Sequence, residues 1–455
     1  MPVSSTPPPL GDAARDLALR ILAHQARRFP DLAVVELETK GLTPRDGALA
    51  VAIYESAVER WLTLSHLVNL YLMKPMSALE PRLAAVLLAG AAQLLMMDRL
   101  PAHAVINHAV EWAKQRVRPG AGPMANAVLR KVAALRLPDD QGGRRPTYTG
   151  QRDELPLADG SAIVLAQPVL PESELERLAV ASSHPPALLE TWGQRMSPHQ
   201  VRALAMHSLV RPPITLCTAY TLGPLPRDLL TPHDSPNHHV FSGPRSALTE
   251  LLEARPDIWV QDAASSTAVE SVRTLNPRLI IDLCAGQGTK TRQLEAVFPD
   301  ARIVATDTDG ARRAVLAGVF EGNPRVKVLP IEEIKVACVE QADLVLLDVP
   351  CSNTGVLARR PEARYRVDQS HLDSVTALQR QIIVDAIPLL AMKPRRGMIL
   401  YSTCSLEPQE NQQQVEWAVK WHRFRSAHEE NRMPAGAPGG PPTSYCDGAY
   451  SVLLS

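Results

Sequence analysis

Apolar residues recur at helical spacing over the first third of the chain. Leu17 and Ile21 share one helical face, and the same three-to-four-residue period continues through later segments. The longest apolar run, residues 83–97, is interrupted by Gln93 and is too short to cross a bilayer, so it predicts a buried helix. Since no alternating strand pattern intervenes, residues 1–138 are predicted to form an all-α domain of at least five helices.

The pattern changes twice further along. Residues 139–172 are rich in glycine, proline and polar side chains, which predicts a linker, and residues 173–262 predict a small α/β segment. From residue 263 to 455, short apolar runs alternate with helical segments, which is typical of a doubly wound, mostly parallel sheet, an α/β Rossmann-like domain. The predicted strands are residues 279–281, 302–305, 326–329, 344–347 and 398–401.

Composition fits a multidomain globular protein. The chain has 455 residues, of which 45% are hydrophobic, and equal numbers of basic and acidic residues, so the whole chain does not show the basic excess of many nucleic-acid binders. The late helical part is locally basic. Its basic residues are Lys114, Arg116, Arg118, Arg130, Lys131 and Arg136, followed by Arg144 and Arg145. Such a cluster could hold a phosphate backbone, but an ordinary solvated helix face is slightly favoured by charge alone.

The six cysteines show no CxxC spacing, so no metal site is predicted. Residues 1–10 lack the basic start and apolar run of a secretory signal. We therefore expect reduced thiols in a cytoplasmic protein without a membrane segment. No oligomerisation signal is evident, and a monomer is expected.

Candidate chemistry lies at the ends of the predicted strands, where parallel sheets bind ligands. The first strand runs into a turn with Gly286 and Gly288, and the second ends at Asp307, an acid placed to accept hydrogen bonds from ribose hydroxyls. Together they predict a nucleoside site, which alone does not separate NAD from S-adenosylmethionine.

Two further strand ends carry thiols. Asp348 and Cys351 follow the fourth strand, and Cys404 follows the fifth. A thiolate that adds to carbon 6 of cytosine makes carbon 5 able to attack a methyl sulfonium; an acid stabilises the adduct and a base removes the carbon 5 proton. A lone cysteine is more often a core residue, as we expect for Cys284, but the two motifs together favour catalysis.

These motifs closely resemble the NOL1/NOP2/Sun (Fmu) family of RNA 5-methylcytosine methyltransferases. The matching stretches are DLCAGQGTKT (282–291), ATDTD (305–309), LLDVPCSNTGVLARRPEARYR (346–366), LQRQIIVDAIPLL (378–390) and YSTCSLEPQENQQQV (401–415), with WVQDAASS (259–266) and DGAY (447–450). In the helical domain, residues 94–114 and 124–132 resemble the RNA-binding antitermination factor NusB. A NusB-like domain ahead of such a catalytic domain resembles bacterial 16S ribosomal RNA cytosine-C5 methyltransferases, which implies 16S rRNA as the partner.

The resemblance implies a role for each matching residue. Cys404 would be the nucleophile, Cys351 would help to remove the proton, and Asp348 and Lys290 would lie at the reacting centre. S-adenosyl-L-methionine would be the cofactor. Its binding residues would be Cys284, Ala285, Gly286, Gln287, Gly288, Thr289, Lys290, Asp307, Glu332 and Asp348.

Two departures from the family keep alternatives open. The cofactor loop has Gln287 where the family has proline and Thr289 where it has glycine. A second hypothesis is therefore an RNA-binding scaffold without methyltransferase activity, which the intact Cys351 and Cys404 oppose. A third is the same reaction on tRNA or another RNA. A DNA methyltransferase ranks low, because its nucleophile would lie in the fourth-strand motif.

Overall fold

The structure is a computed structural model that describes residues 12–98 and 100–455. Residues 1–10, in which the sequence shows no signal segment, lie outside this part. The chain forms two compact units. The first contains the chain up to Val210 together with Arg360–Arg366 and Ala437–Gly439, and the second contains the remainder.

Helices dominate the first unit, as the apolar periodicity predicts. They are α1 (Ala13–Arg28), α2 (Pro44–Glu59), α3 (Trp61–Asn69), α4 (Pro81–Ala91), α5 (Ala102–Arg116) and α6 (Ala121–Ala133). Asp12 caps α1 by accepting from the Arg15 amide, and Thr43 caps α2. The inward faces build one apolar core, to which Leu22, Leu64 and Leu129 contribute fully buried side chains.

The run predicted as one buried helix, residues 83–97, is α-helical only to Ala91. A π-helical turn follows over Ala92–Met96. The interrupting Gln93 is buried and satisfied: its Nε2 donates to the carbonyl of Ala89 at 2.9 Å, and its Oε1 accepts from Arg15 Nε at 2.7 Å. The polar residue is thus tolerated because both ends of its amide are hydrogen-bonded.

Residues 139–172, predicted as a linker, contain a small antiparallel sheet in the order β1-β3-β2. Its strands are β1 (Arg144–Arg145), β2 (Glu154–Pro156) and β3 (Ala162–Val164). The buried Glu154 accepts from the backbone amide of Thr149 at 2.7 Å and pairs with Arg145 at 2.5 Å. Three helices follow, α7 (Glu174–Ser182), α8 (Pro186–Gly193) and α9 (Pro198–His207). The domain boundaries drawn from the sequence stay a prediction.

The segment Arg360–Arg366 completes the interior of the first unit. Tyr365 is buried, and its hydroxyl donates to the carbonyl of Val58 at 2.6 Å. The fully buried Arg364 donates to the carbonyls of Ser182 at 2.9 Å and Ser208 at 3.2 Å. These hydrogen bonds pair carbonyls that would otherwise be buried alone.

The second unit begins with a four-stranded antiparallel sheet in the order β5-β6-β4-β7. Its elements are β4 (Thr215–Cys217), β5 (Leu230–Pro232), β6 (His238–Phe241), α10 (Arg245–Ala254) and β7 (Trp259–Val260). Leu216 and Phe241 form its small core with the face of α10 that carries Leu251.

A seven-stranded sheet in the order β10-β9-β8-β11-β12-β14-β13 is the centre of the second unit. Five strands are parallel, as predicted: β8 (Leu279–Asp282), β9 (Arg302–Ala305), β10 (Val326–Val328), β11 (Leu344–Asp348) and β12 (Met398–Thr403). Two antiparallel strands were not predicted: β13 (Ser426–Arg432) and β14 (Ala449–Leu454). The helices are α11 (Ala263–Glu270), α12 (Thr289–Val297), α13 (Gly310–Val319), α14 (Ile331–Ala337), α15 (Gln369–Ala386) and α16 (Gln412–His422).

Alternate residues of the central strands face opposite sides of this sheet. Ile281 and Val345 belong to one apolar cluster, and Ile280 and Leu346 belong to another. The strand order reverses direction between β8 and β11, because the chain passes from β8 to β9 and β10 and then returns to the other side of β8. In open α/β sheets, ligands bind beside such a reversal at the carboxyl ends of the strands. Over residues 12–98 and 100–455, we find no helix that combines the length and apolar character of a membrane span.

Candidate active site

Four neighbouring strands of the large sheet deliver the predicted site residues. The loop after β8 carries Cys284–Lys290, Asp307 follows β9, Asp348 ends β11 and Cys404 follows β12. All lie at the carboxyl edge, on either side of the β8/β11 reversal. The parallel register therefore gathers side chains that are up to 120 positions apart along the chain, from Cys284 to Cys404.

The two thiols are in contact. Cys351 Sγ and Cys404 Sγ lie 3.2 Å apart, and both cysteines are half-buried and free. The hydrogen bond with Cys404, together with burial, raises the pKa of Cys351 well above its usual value. One thiol of the pair therefore holds its proton while it faces the other.

Lys290 and Asp348 form the second pair of the site. Lys290 Nζ donates to Asp348 Oδ2 at 2.8 Å and to Ser265 Oγ at 3.2 Å. The other carboxylate oxygen, Asp348 Oδ1, accepts from Ser402 Oγ at 2.8 Å, because Asp348 and Ser402 are register partners in β11 and β12. Burial opposes the charge of Lys290, but the adjacent Asp348 carboxylate outweighs it and the pKa of Lys290 is raised. The lysine stays cationic at the edge of the thiol pair.

The loop after β8 has the conformation of a nucleoside cradle. Gly286 lies in the left-handed region at φ 56°, and its amide donates to Asp307 Oδ2 at 3.0 Å. A Cβ built on Gly286 would meet no atom within 4 Å, so the loop is open on that side. Gly288, at φ 95°, instead packs where a Cβ would lie 2.8 Å from Leu316. The amides at the start of α12 have no side-chain cap.

The two residues that depart from the family pattern face outward. Gln287 and Thr289 are both exposed, and Thr289 is the first residue of α12. Cys284, by contrast, is half-buried against the apolar cluster of the sheet, and burial raises the pKa of its thiol. S-adenosylmethionine fits this site, which offers open space beside Gly286, uncapped amides at the start of α12 and an acid after β9. The roles of the individual loop residues in binding it stay a prediction.

Glu332 lies apart from the other predicted cofactor-binding residues. It lies in the first turn of α14, after β10, and its side chain is exposed. The sheet order separates β10 from β8 by one strand. Within residues 12–98 and 100–455, no hydrogen bond joins Glu332 to the loop after β8, so its contact with a cofactor stays a prediction.

Several residues around the thiols escaped the sequence prediction. Asn353 adopts a left-handed backbone at φ 64°, and its Oδ1 accepts from Cys404 Sγ at 3.4 Å. The buried Glu410 lies between β12 and α16 and is hydrogen-bonded to the loops that carry both cysteines. The stretch after Cys404 contains two acids, Glu407 and Glu410, and nothing in the sequence distinguishes the one that joins the cysteine loops.

An ion cluster of one arginine and two buried aspartates lies at the loop after Cys351. Arg359 Nε pairs with Asp447 at 2.7 Å, and Arg359 Nη2 pairs with Asp262 at 3.0 Å. The guanidinium lies 5.2 Å from the ring centroid of Tyr445. Burial opposes the charge of Arg359, but the carboxylate of Asp447 outweighs it, so the pKa of Arg359 is raised. The stretches 259–266 and 447–450 noted in the sequence thus meet at one arginine.

Much of the basic cluster in the first unit is paired with acids. Lys114 pairs with Glu111 and Arg118 with Glu80, each at 2.7 Å. Arg136 and Arg144 both pair with Asp98. These pairs favour the solvated-face interpretation for those residues. Among the residues that the structure describes, no group of three candidate metal ligands occurs.

Comparison with known proteins agrees with this architecture. Residues 272–438 match the family model "16S rRNA methyltransferase RsmB/F", and residues 12–134 match that of the NusB family. The "Ribosomal RNA small subunit methyltransferase B" of Xanthomonas campestris is 29% identical over 468 residues, which cover 98% of this chain and 97% of that one. The "Probable ribosomal RNA small subunit methyltransferase B" of Synechocystis sp. is 28% identical over 460 residues, 97% and 96% of the two chains.

A solved structure, "Crystal Structure of PH0851", shares the fold. It aligns at a TM-score of 0.69 and 19% identity over 98% of this chain and 99% of that one. The predicted fold, an all-α NusB domain followed by an α/β methyltransferase domain, is confirmed by these matches.

Proposed function

Because the chain belongs to the 16S rRNA methyltransferase RsmB/F family through residues 272–438 and carries a NusB-family domain at residues 12–134, we propose that it methylates carbon 5 of a cytosine in 16S ribosomal RNA. The observation that carries the proposal is the pair of thiols 3.2 Å apart at the carboxyl ends of β11 and β12. Relatives over nearly the full length are named as small-subunit ribosomal RNA methyltransferases, which supports the substrate class.

Cys404 is the nucleophile in this proposal. Its thiolate forms a bond to carbon 6, and the electron pair of the carbon 5–carbon 6 double bond moves so that carbon 5 becomes nucleophilic. Asp348, held by Lys290 and Ser402, hydrogen-bonds the edge of the ring and stabilises the adduct. Lys290 keeps the carboxylate fixed beside the thiols.

Cys351 completes the reaction by helping to remove the carbon 5 proton. The Cys351 sulfur takes that proton, the electron pair restores the double bond, and the sulfur–carbon 6 bond breaks to return a thiolate to Cys404. The hydrogen bond with Cys404 is the largest cause of the raised Cys351 pKa. Once Cys404 is bonded to carbon 6 this cause is gone, which favours the thiolate form of Cys351 that the base requires, while burial still raises its pKa.

The residues of the cofactor loop would hold S-adenosylmethionine, which supplies an electrophilic methyl group when bound. Gly286 and the amides of α12 offer a close backbone approach, and Asp307 would accept from the ribose hydroxyls. Asp307 already accepts from the amides of Gly286 and Asp309, which fixes its carboxylate toward the loop.

The target base must be out of its stack. A thiolate cannot reach carbon 6 inside a helix, so the cytosine lies in a loop or in partly assembled RNA.

The test is methyl transfer from labelled S-adenosylmethionine to undermethylated 16S rRNA. We expect transfer by the native protein, at least about a thousandfold loss in Cys404→Ala, and a trapped protein–RNA adduct in Cys351→Ala. Cys338→Ala, a buried thiol remote from the sheet's carboxyl edge, is the matched control and should leave transfer unchanged. Transfer RNA serves as the competing substrate.

Two outcomes would contradict the proposal. Full transfer by Cys404→Ala would exclude the covalent route. RNA binding without transfer by the native protein would favour the scaffold hypothesis, with Gln287 and Thr289 as the first residues to revert to the family pattern.

A further inference from the structure

Glu410 is a buried carboxylate that the reaction above does not use. It lies between β12 and α16 and is fully shielded from solvent. Its Oε1 accepts from the backbone amide of Ser352 at 2.8 Å and from Gln379 Nε2 at 3.0 Å. Burying a carboxylate costs free energy unless hydrogen bonds replace the lost water, so its retention needs a reason.

The second oxygen joins the two cysteine loops. Glu410 Oε2 accepts from the hydroxyls of both Ser352 and Ser405. Ser352 directly follows Cys351, and Ser405 directly follows Cys404. One carboxylate group therefore binds the residue after each thiol, at a point where β11 and β12 have ended and their ladder no longer sets the distance between the chains.

Glu410 itself is anchored to β12. Its backbone carbonyl accepts from the hydroxyl of Tyr401 at 2.6 Å. The neighbouring Asn411 accepts from Thr403 Oγ1 of β12 at 2.6 Å and donates to the carbonyl of Ser405, in the loop after β12, at 2.8 Å. The position of the carboxylate is thereby fixed relative to the strand that leads into Cys404.

We propose that Glu410 is a positioning residue that holds Cys351 and Cys404 at their contact distance. It touches neither thiol and has no role in bond making; it acts through Ser352 and Ser405. The inference rests on the proposed function for its consequence in catalysis, but its geometric claim stands apart from that function. Ser405 lies in the loop of the nucleophile Cys404, and Ser352 lies in the loop of the base Cys351. Substituting one serine at a time therefore tests the hydrogen bond from Glu410 to each loop separately.

The geometric test is the rate at which the two thiols form a disulfide. Diamide oxidises two thiols by taking two electrons and two protons, and bonding requires the sulfurs to close from 3.2 Å to about 2.0 Å. We expect Glu410→Gln to slow Cys351–Cys404 disulfide formation about tenfold, because the amide cannot accept from all four donors. Disulfide is read by mass spectrometry of peptides, without RNA or cofactor.

The kinetic test separates the two loops. Ser405→Ala should slow formation of the RNA adduct, whereas Ser352→Ala should slow release and let the adduct accumulate. Glu295→Gln is the matched control, since Glu295 lies on α12, away from the thiols, and its carboxylate accepts from Asn323 and Arg325. Melting temperatures of all variants are recorded so that a merely unstable protein is recognised.

Each outcome bears on one claim. A wild-type disulfide rate in a folded Glu410→Gln protein would overturn the inference even if the native protein methylates RNA. Equal slowing of adduct formation and release by both serine variants would also overturn the division into two loops. If Glu410→Gln slows disulfide formation but the native protein methylates no RNA, the positioning role of Glu410 stands while the proposed function fails.

Discussion

Asp282 is a buried acid at the carboxyl edge of the large sheet, and its burial makes the stability of the protein depend on pH. It ends β8, is completely buried and accepts from Thr291 Oγ1 through Oδ2 at 2.7 Å. Its Oδ1 has no hydrogen-bond partner in the part of the chain that the structure describes. Burial therefore raises the pKa of Asp282 to about 7. The free energy of unfolding therefore falls as the pH increases, because the buried carboxyl resists ionisation in the folded chain.

The sign of that cost is testable with Asp282→Asn. Below about pH 4 the carboxyl is protonated in both the folded and the unfolded chain. Between about pH 4 and 7 the unfolded chain ionises while the folded chain keeps its proton, so the free energy of unfolding falls by at most about 4 kcal/mol. Asparagine does not ionise and can still accept from Thr291. We expect the melting temperature of the variant, relative to wild type, to increase from pH 4 to pH 8.

The exposed Asp300→Asn is the control for Asp282→Asn, and its difference from wild type should stay flat with pH. Parallel pH curves for Asp282→Asn and wild type would show that the carboxyl ionises equally easily in both states.

Between the elements of the large sheet, Gly355 in the loop after β11 packs directly against the backbone of the loop after β12 and of the segment before β14. The amide of Gly355, after β11, donates to the carbonyl of Cys404 at 2.9 Å, and the amide of Gly448 donates to the carbonyl of Gly355 at 2.7 Å. A Cβ on Gly355 would lie 2.6 Å from the Cys404 carbonyl oxygen and 3.0 Å from the Gly448 Cα. The close approach that sets the loop beside the nucleophile thus has no room for a side chain.

Gly355→Ala should therefore destabilise the protein by about 2 kcal/mol and reduce methyl transfer, because backbone atoms must move. Gly318→Ala is the matched control: Gly318 lies in α13, is exposed and has no neighbour within 4 Å of a built Cβ. The same substitution there should raise stability by about 0.5–1 kcal/mol. Urea unfolding of both variants gives the comparison, and equal stability changes would refute the steric explanation.

The elements that sequence could predict are those with strong local patterns. The central strands β8 and β11 are apolar up to their final aspartates because both faces of the sheet are covered, whereas the edge strand β10 contains the exposed Lys327. In β13 every residue but Arg432 is exposed and most are polar, so it carries no strand signature. The thiols and Asp348 could be predicted because each ends a recognisable strand. Glu410 and Asn353 could not, since their roles depend on hydrogen bonds across 50 or more positions.

In the whole molecule, a segment's place in the sequence does not always tell to which compact unit it belongs. Arg360–Arg366 lies in sequence between β11 and β12 but belongs to the first unit. A hydrophobic pattern cannot reveal that Arg364 donates to Ser182, 182 positions earlier.

Tyr365→Phe tests this membership. The substitution removes the hydroxyl that donates to the Val58 carbonyl and leaves that carbonyl unpaired, at a cost of about 1–3 kcal/mol. Hydrogen exchange should accelerate in peptides of α2 and α3 and stay unchanged in β8 and β9. Tyr450→Phe, which loses a 2.9 Å hydrogen bond to Glu429, should instead affect β13 and β14. Faster exchange in β8 and β9 of the Tyr365 variant would contradict the assignment.

The placement of Arg364 and Tyr365 also fixes an order of events during translation. N-terminal domains generally fold first, as soon as their chain has left the ribosome. Here the helical unit can form the hydrogen bonds of Arg364 and Tyr365 only after these two residues have been synthesised, by which time β8, β9, β10 and β11 have already been made. Until then the carbonyls of Ser182 and Val58 have only water as a hydrogen-bond partner at these positions, so the last hydrogen bonds of the first unit form after most of the parallel sheet has been synthesised.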